Sequence, residues 1–267
     1  MTVATQSIGN QLRNWRRRRR LSQLDLALEA EISTRHLSFV ETGRAQPSRD
    51  MVLHLAEQLD VPLRERNRLL LAAGYAPMYG ERGLEDPALA PARETVERLL
   101  AAHEPFPALA LDRSWQVAAT NAAVAPLLAG AAPALLVPPI NVLRLSLHPE
   151  GLAPRIVNLP QWRAHLFDRL RRQVQMTADA GLAALLAELQ SYPCSASAEH
   201  VVPGADQERS SIFVPLRLAV EDRVLSFIST TTVFGTPVDV TVSEITLETF
   251  FPADADTRRW LESRPRA

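Results

Sequence analysis

The chain has 267 residues, enough for one large domain or two of ordinary size. Hydrophobic residues make up 46% of it and charged residues 22%, a composition that excludes an intrinsically disordered protein. The net charge is −1, but residues 1–80 hold twelve Arg and eight acidic residues, whereas the remainder holds seventeen and twenty-two. A basic N-terminal part and an acidic remainder indicate a nucleic-acid-binding domain followed by a domain of another kind.

Cysteine content and the N-terminal segment indicate a cytoplasmic protein. Cys194 is the single cysteine, so we expect neither an intramolecular disulfide nor a thiolate metal cluster. The first residues lack the apolar run of a signal peptide. Residues 114–143 carry no charge, but their four prolines are incompatible with a helix that spans a membrane.

The first 75 residues carry the signals of five short helices. The predicted spans are 8–18, 23–30, 34–41, 49–59 and 62–74. Ser22 and Ser33 are placed to cap the second and third helices, and Asp25 to complete a capping box. Gly43 is placed to end the third helix in a left-handed conformation. We expect a compact bundle whose core contains Leu21, Leu24, Ala27, Ile32, Leu37, Val40, Leu55 and Leu59.

Residues 76–91 are rich in proline and glycine and predict a semi-rigid linker to a domain over residues 92–267. In that domain, helices are predicted over 92–103, 121–128, 161–176 and 178–190, and strands over 108–111, 115–118, 212–220, 224–234 and 239–251. Glu221 and Asp222 predict a hairpin turn. A change of apolar parity in the last strand predicts a bulge near Ser243 and Glu244. The pattern favours an α+β domain with an antiparallel sheet.

A specific set of residues in the first domain carries a resemblance to a known family. The set is Leu21, Ser22, Gln23, Ala27, Ile32, Ser33, Leu37, Ser38, Glu41, Gly43 and Pro47. Residues 11–63 resemble the XRE-type helix-turn-helix regulators, whose all-α fold is similar to that of phage lambda repressor. The resemblance implies that the segment beginning at Thr34 lies in the major groove of double-stranded operator DNA.

Polar residues around this third predicted helix are the candidate DNA contacts. Arg35 is the one residue there that can donate two hydrogen bonds to guanine O6 and N7. The full candidate set is Gln23, Ser33, Thr34, Arg35, His36, Ser38, Thr42 and Arg44. His36 is equally compatible with packing or solvent exposure. Residues 16–20, all Arg, form either a solvated helix face or a set of phosphate contacts.

One position departs from the pattern of the family. Glu31 stands before Ile32, where glycine is common. If this turn is left-handed, a residue other than glycine costs about 1–2 kcal/mol there. DNA binding stays the expectation, but the geometry of the turn is open.

A second resemblance covers the C-terminal part. It is carried by residues 69–77, by residues 141–149, by the pair Trp115 and Asn121, and by residues 233–254. These segments resemble the regulators with an MmyB-like ligand-binding domain, which is similar to a PAS fold. The resemblance implies transcriptional control by a small, partly apolar ligand, with fatty-acid-like molecules as the leading class.

Apolar walls and a few polar groups are what such a site requires. The candidate ligand-binding residues are Trp115, Asn121, Asn141, Arg144, His148, Phe227 and Phe234, with Ile228 and Leu247 as further walls. Arg144 suits a carboxylate through paired hydrogen bonds. Each residue also has a purely structural interpretation, as a helix cap, a turn residue, a surface ion pair or part of the core.

Catalytic and metal-binding patterns are absent from the sequence, so we expect no enzyme, no metal and no cofactor. We predict a regulator that binds DNA as a homodimer with half-sites about 34–36 Å apart. Two alternatives stay open. In one, the C-terminal domain only dimerises or binds a protein partner, without a ligand. In the other, it is an enzyme directed to DNA by the first domain.

Overall fold

A computed structural model of the chain describes residues 7–177, 179–194, 213–235 and 237–264. These residues form two compact units. The first unit comprises residues 7–83 together with residues 237–243, and the second comprises the other described residues. The predicted fold class is confirmed, because a helical unit precedes an α+β unit with an antiparallel sheet.

Five helices dominate the first unit. They are α1 (Ile8–Arg18), α2 (Gln23–Glu29), α3 (Thr34–Glu41), α4 (Arg49–Gln58) and α5 (Leu63–Ala72). Ser22 and Ser33 cap α2 and α3, and Asp25 completes the predicted capping box. Gly43 follows α3 with a φ of 74°, a conformation that glycine adopts freely because it has no Cβ.

The core of the first unit contains most of the predicted residues. Leu37, Val40 and Leu55 are fully buried. The prediction for Leu24 is wrong, because its side chain is 65% exposed. The buried face of α2 is formed by Leu26 and Ala27, and Leu24 projects away from it.

Helices α1 and α3 approach each other at Gly9. A Cβ atom on Gly9 would lie 2.4 Å from the carbonyl oxygen of Val40 and 2.6 Å from that of Glu41. Carbon and oxygen atoms do not approach this closely without a bond between them. Glycine at this position therefore sets the distance between α1 and the helix that carries the candidate DNA contacts.

The second unit has helices on both faces of its sheet. The remaining helices of the chain are α6 (Ala90–Ala102), α7 (Val142–Leu147), α8 (Leu159–Thr177), α9 (Ala180–Ser191), α10 (Val240–Glu244) and α11 (Ala255–Glu262). The strands are β1 (Ala108–Leu111), β2 (Val117–Thr120), β3 (Leu216–Val220), β4 (Arg223–Val233) and β5 (Thr246–Pro252). Short 3-10 segments cover Pro87–Leu89, Ala122–Leu128, Pro133–Leu136 and Ala153–Arg155.

The five strands form one antiparallel sheet in the order β2-β1-β5-β4-β3. Val220 pairs with Arg223, so Glu221 and Asp222 form the predicted hairpin turn. Side chains alternate between the two faces along each strand. Ala108 and Ala110 pack against α6, whereas Leu225 and Phe227 belong to a larger cluster with α8 and α9.

Three predicted strands differ from the observed ones. The strand predicted over 212–220 is observed only from Leu216, and residues 213–215 before it are not in a strand. The last predicted strand does not contain a bulge near Ser243 and Glu244, because α10 occupies that stretch and β5 begins only at Thr246. A helix begins here because the Asp239 carboxylate accepts hydrogen bonds from the backbone N–H groups of Thr241 (2.8 Å) and Val242 (3.3 Å).

The predicted strand at 115–118 begins two residues late, at Val117. Trp115 has a φ of 64° and lies in the turn before β2. Ala178 and Ile212, where a helix and a strand are predicted to start, lie outside the described residues.

Candidate functional site

Helix α3 has one buried face and one polar face. Leu37 and Val40 are fully buried in the core of the first unit. Thr34 and Arg35 are exposed, and Ser38 is half-buried on the same side of the helix. The side chains that the sequence predicts to face DNA therefore lie together on the accessible side of α3.

Two arginine side chains lie over one aromatic ring at this face. The guanidinium carbon of Arg35 lies 5.3 Å from the centre of the Phe39 ring, and that of Arg44 lies 6.0 Å from it. Within the described part of the chain, neither guanidinium has a carboxylate or carbonyl acceptor. Both groups keep their hydrogen-bond donors for another molecule.

The segment after α3 folds back onto the helix. The backbone N–H groups of Arg44 and Ala45 donate to the carbonyl oxygen of Phe39, at 2.8 and 3.1 Å. The Thr42 hydroxyl donates to the carbonyl oxygen of Ser38 at 2.7 Å. These bonds fix the backbone of Arg44 beside Phe39, and its guanidinium lies over the Phe39 ring.

Ser33 and His36 lie at the N-terminus of α3. The Ser33 hydroxyl oxygen accepts a hydrogen bond from the backbone N–H of His36 at 3.1 Å, which leaves its O–H group as a donor. Ser33 is exposed and the His36 side chain is half-buried. Both are close to Arg35 in the first turn of α3.

A buried carboxylate ties α1, α2 and α3 together. Glu41 is 1% exposed and accepts two hydrogen bonds from the Arg16 guanidinium, from Nε at 2.7 Å and from Nη2 at 2.9 Å. Gln23 Nε2 donates to the same carboxylate at 2.8 Å, and Arg13 Nε lies 3.4 Å from it. Each of the three helices is therefore anchored on one charged group.

The environment of Glu41 changes its acidity. Burial raises the pKa of Glu41, but the hydrogen bonds from Arg16 and Gln23 outweigh burial and hold this pKa below its ordinary value. The carboxylate is therefore ionised at neutral pH. Its charge balances that of Arg16, which is itself buried.

The run of arginines at 16–20 divides into two roles. Arg16 is buried against Glu41, and Arg19 donates to the carbonyl oxygens of Leu59 (2.7 Å) and Asp60 (2.6 Å). Arg17, Arg18 and Arg20 are exposed. Part of the run is thus structural, and the rest is accessible to a phosphate.

The turn between α2 and α3 is left-handed at Glu31, whose φ is 51°. This is the conformation that glycine adopts most readily at such a turn. The turn therefore keeps the geometry that the family pattern implies, at a cost of about 1–2 kcal/mol for the glutamate.

In the second unit, two candidate asparagines bind the backbone. Asn121 Nδ2 donates to the carbonyl oxygens of Phe106 (2.8 Å) and Leu100 (3.2 Å), and its Oδ1 accepts from the N–H of Ala108 (3.1 Å). Asn141 caps α7 and donates to the carbonyl oxygen of Ser114 at 2.8 Å.

Arg144 and His148 lie at a second polar cluster, with Glu188 and Tyr192. The Arg144 guanidinium donates to both carboxylate oxygens of Glu188, each at 2.7 Å, and the Tyr192 hydroxyl donates to one of them at 2.7 Å. The hydrogen bond from Arg144 lowers the pKa of Glu188 to about 2. Burial, together with the hydrogen bond to Glu188, raises the pKa of Tyr192 to about 12. The His148 ring stands edge-on to Tyr192 at 5.1 Å.

The aromatic candidates lie in two different clusters. Trp115 and Phe227 belong to the large cluster beneath α8, whereas Phe234 packs with the cluster beneath α6. The structure therefore places Trp115 and Phe227 in one apolar cluster and Phe234 against another. Trp115 Nε1 donates to Gln173 Oε1 at 2.6 Å.

A charged pair lies beside Trp115 on the sheet. Arg169 of α8 pairs with Glu248 of β5, which is 4% exposed, and its guanidinium carbon lies 4.8 Å from the centre of the Trp115 ring. Thr231 Oγ1 donates to Glu248 at 2.9 Å. The pair places a buried charge at the edge of an otherwise apolar cluster.

Comparison with protein families accounts for both units. A model described as the MmyB-like transcription regulator ligand binding domain matches residues 92–263, which is more than half of the chain. The chain belongs to the MmyB-like transcription regulators. A helix-turn-helix domain model matches residues 7–69 of this MmyB-like regulator. No curated protein matches the chain.

The MmyB-like regulator is a helix-turn-helix DNA-binding transcription regulator with a ligand-binding domain, and these families are not enzymatic. Among the described helices, none is long and apolar enough to cross a membrane. The described residues contain no group of three or more His, Cys, Asp or Glu side chains that could hold a metal ion.

Three features of the MmyB-like regulator are missing from the sequence-based prediction. They are the Phe39 ring under two arginines, the Glu41 network and the pair of Arg169 with Glu248. Phe39 could have been found, because Arg35 precedes it by four residues, the spacing at which helical side chains meet. The pair of Arg169 with Glu248 has no local signal, since 79 positions separate the two residues.

Proposed function

We propose that the chain binds operator DNA as a homodimer through the polar face of α3 and regulates transcription in response to a small, partly apolar ligand. DNA binding is assigned to residues 1–75 and ligand binding to residues 92–267, with residues 76–91 as the linker. As an operator-binding protein it acts in the cytoplasm. The observation that carries the DNA-binding proposal is the exposed Arg35 guanidinium, which has no acceptor among the residues that the structure describes.

Arg35 is the proposed reader of a base. Its position in the first turn of α3 corresponds to the part of a recognition helix that contacts base edges in the major groove. Thr34, His36 and Ser38 flank it and complete the base-facing surface. A bidentate contact from Arg35 to guanine contributes about 1–3 kcal/mol of discrimination, a factor of roughly 5–150.

Residues around the base-facing surface are proposed to hold phosphates. Ser33, Thr42 and Arg44 are exposed beside α3. Gln23 uses one N–H of its side-chain amide for Glu41, which leaves the second N–H for a phosphate oxygen. Such contacts set the register of the protein on the duplex without reading its sequence.

The test of DNA binding starts from a pool of random duplexes from which the purified full chain selects sequences. Dissociation constants for a selected duplex and a scrambled one are then measured for the wild type, for Arg35→Ala and for Arg68→Ala. Arg68 provides the matched control, because it is an exposed arginine on α5. We expect Arg35→Ala to lose the preference for the selected duplex and Arg68→Ala to keep it. Failure of the wild type to select any sequence would refute the proposal.

The ligand proposal is supported by the second unit, in which α8 and α9 share one large apolar cluster with β3 and β4. A fatty-acid-like molecule combines an apolar chain with one carboxylate, and Arg144 is the proposed partner of that carboxylate. The ligand would have to displace Glu188, whose two carboxylate oxygens accept the hydrogen bonds from Nε and Nη2 of Arg144. Trp115, Phe227, Phe234, Asn121, Asn141 and His148 remain the other proposed ligand-binding residues.

A second candidate function is a dimerisation or partner-binding domain without a ligand. It is favoured by the internal bonding of the polar candidates, because Asn121, Asn141 and Arg144 all have partners within the protein. In that case Asn121 fixes the chain near β1, Asn141 caps α7, and Arg144 joins α7 to α9.

Thermal unfolding of the full chain with tetradecanoate and with tetradecanol separates the two candidates. A ligand at 100 times its dissociation constant stabilises the native state by about 2.7 kcal/mol. We expect tetradecanoate to raise the melting temperature more than tetradecanol, and Glu188→Gln to increase that difference. Equal shifts with both compounds would refute carboxylate recognition, and no shift across a series of chain lengths would favour the ligand-free domain.

A further inference from the structure

Phe39 lies on the polar face of α3, outside the core of the first unit. The core of the first unit includes Leu37 and Val40 from this helix, and the described residues that pack on that core do not include Phe39. Its side chain is half-buried on the face that carries Arg35 and Ser38. A half-buried aromatic side chain outside this core is therefore a candidate for a role at the polar face.

Two cationic groups lie over the Phe39 ring, one from before it and one from after it in the sequence. Arg35 precedes Phe39 by one helical turn, and its guanidinium carbon lies 5.3 Å from the ring centre. Arg44 follows after the left-handed Gly43, and its guanidinium carbon lies 6.0 Å from the ring centre. Both distances are within the range of about 6 Å in which a ring attracts a cation.

We propose that Phe39 is a positioning residue for operator recognition, whose ring holds Arg35 and Arg44 in the orientations in which they meet DNA. The proposal rests on the proposed function and adds to it a specific role for a residue that does not itself read a base. Free arginine side chains populate many rotamers, and restricting them before binding removes part of the entropy cost of the complex.

The expected effect follows from the strength of such contacts. Each cation–ring contact at an exposed site shifts an equilibrium by about two- to five-fold. Loss of the ring under both arginines therefore predicts operator binding that is about 4- to 25-fold weaker. The loss should be larger for the selected duplex than for a scrambled one, because Arg35 is the proposed reader of a base.

The test compares Phe39→Leu, which keeps an apolar side chain but removes the ring, with Phe39→Tyr, which keeps the ring. Leu71→Ala is the control for the loss of an exposed apolar side chain elsewhere in the unit. We expect Phe39→Tyr and Leu71→Ala to bind the selected duplex within two-fold of the wild type and Phe39→Leu to bind it 4- to 25-fold less tightly. Equal binding by Phe39→Leu and the wild type would overturn the proposal.

A double-mutant cycle separates positioning from a direct contact between Phe39 and DNA. If Phe39 acts through Arg35 and Arg44, the effect of Phe39→Leu should fall below two-fold when both arginines are already alanine. An unchanged effect in that background would mean that Phe39 touches DNA itself, and the positioning role would be wrong.

A measurement on the free protein tests the arrangement without DNA. Protons on the side chains of Arg35 and Arg44 lie over the ring, so their NMR resonances should be shifted upfield in the wild type and in Phe39→Tyr. The shifts should disappear in Phe39→Leu. Identical arginine resonances in the wild type and Phe39→Leu would overturn the positioning role even if no operator were found, whereas failure to select an operator concerns only the proposed function.

Discussion

Replacement of Glu41 by Gln tests whether one buried charge holds the DNA-binding unit together. The substitution keeps the shape of the side chain but leaves the buried guanidinium of Arg16 without a counter-ion. Removal of one partner from a buried pair costs about 3–5 kcal/mol. The Arg16 side chain is 10% exposed to solvent. We therefore expect a destabilisation near the lower limit of this range, about 3 kcal/mol.

Hydrogen exchange measures this loss within the first unit alone. A loss of about 3 kcal/mol makes the slowest backbone N–H groups of α1 and α3 exchange roughly 150-fold faster. Glu57→Gln is the matched control, because Glu57 is exposed on α4 and makes no ion pair within the described residues. An equal exchange rate in Glu41→Gln and Glu57→Gln would refute the argument that the buried charge is structural.

The same pair predicts a dependence on pH. The folded pKa of Glu41 is lowered, so its stabilising contribution is complete above the unfolded value of about 4.3 and is lost as the pH falls through the folded value. The difference in stability between the wild type and Glu41→Gln should therefore be largest at neutral pH and should shrink below about pH 4. A stability difference that grows as the pH falls would contradict this prediction.

Three other predictions concern single residues. Gly9→Ala should destabilise the first unit by at least about 2 kcal/mol in thermal unfolding, because its Cβ would lie 2.4 Å from the Val40 oxygen; an unchanged melting temperature would contradict this. NMR titration should place the Glu188 pKa near 2, and a value near 4 would mean that Arg144 does not hold it in solution. Arg44→Ala should weaken binding to selected and scrambled duplexes alike, and the slope of log K against log salt concentration should fall by about one because one phosphate contact is lost. A loss of affinity confined to the selected duplex would indicate that Arg44 reads a base.

The caps of the first unit were predictable because their signals are local. Ser22, Ser33 and Gly43 act within three residues of their own positions, so the sequence alone locates the ends of α2 and α3. Leu24 was not predictable in the same way. It satisfies the apolar spacing of a helix, and only the placement of neighbouring helices decides which face of α2 is buried.

The C-terminal part of the chain shows the limits of strand patterns. Apolar alternation located most of β4 and β5, but Asp239 starts a helix where the pattern favours a continuous strand. The sequence could not weigh a side-chain cap against a bulge, because both reconcile the same change of parity. Roles that depend on distant partners, such as Asn121 at β1 and Arg169 at Glu248, also required the fold.

The central claim is that the polar face of α3 lies in the major groove of DNA. A crystal structure of the full chain with a selected duplex tests it most directly. We predict the Arg35 guanidinium within hydrogen-bond distance of guanine O6 and N7, with Phe39 beneath it. A complex in which the duplex contacts another surface, and in which protein covers the outer side of α3, would contradict the account.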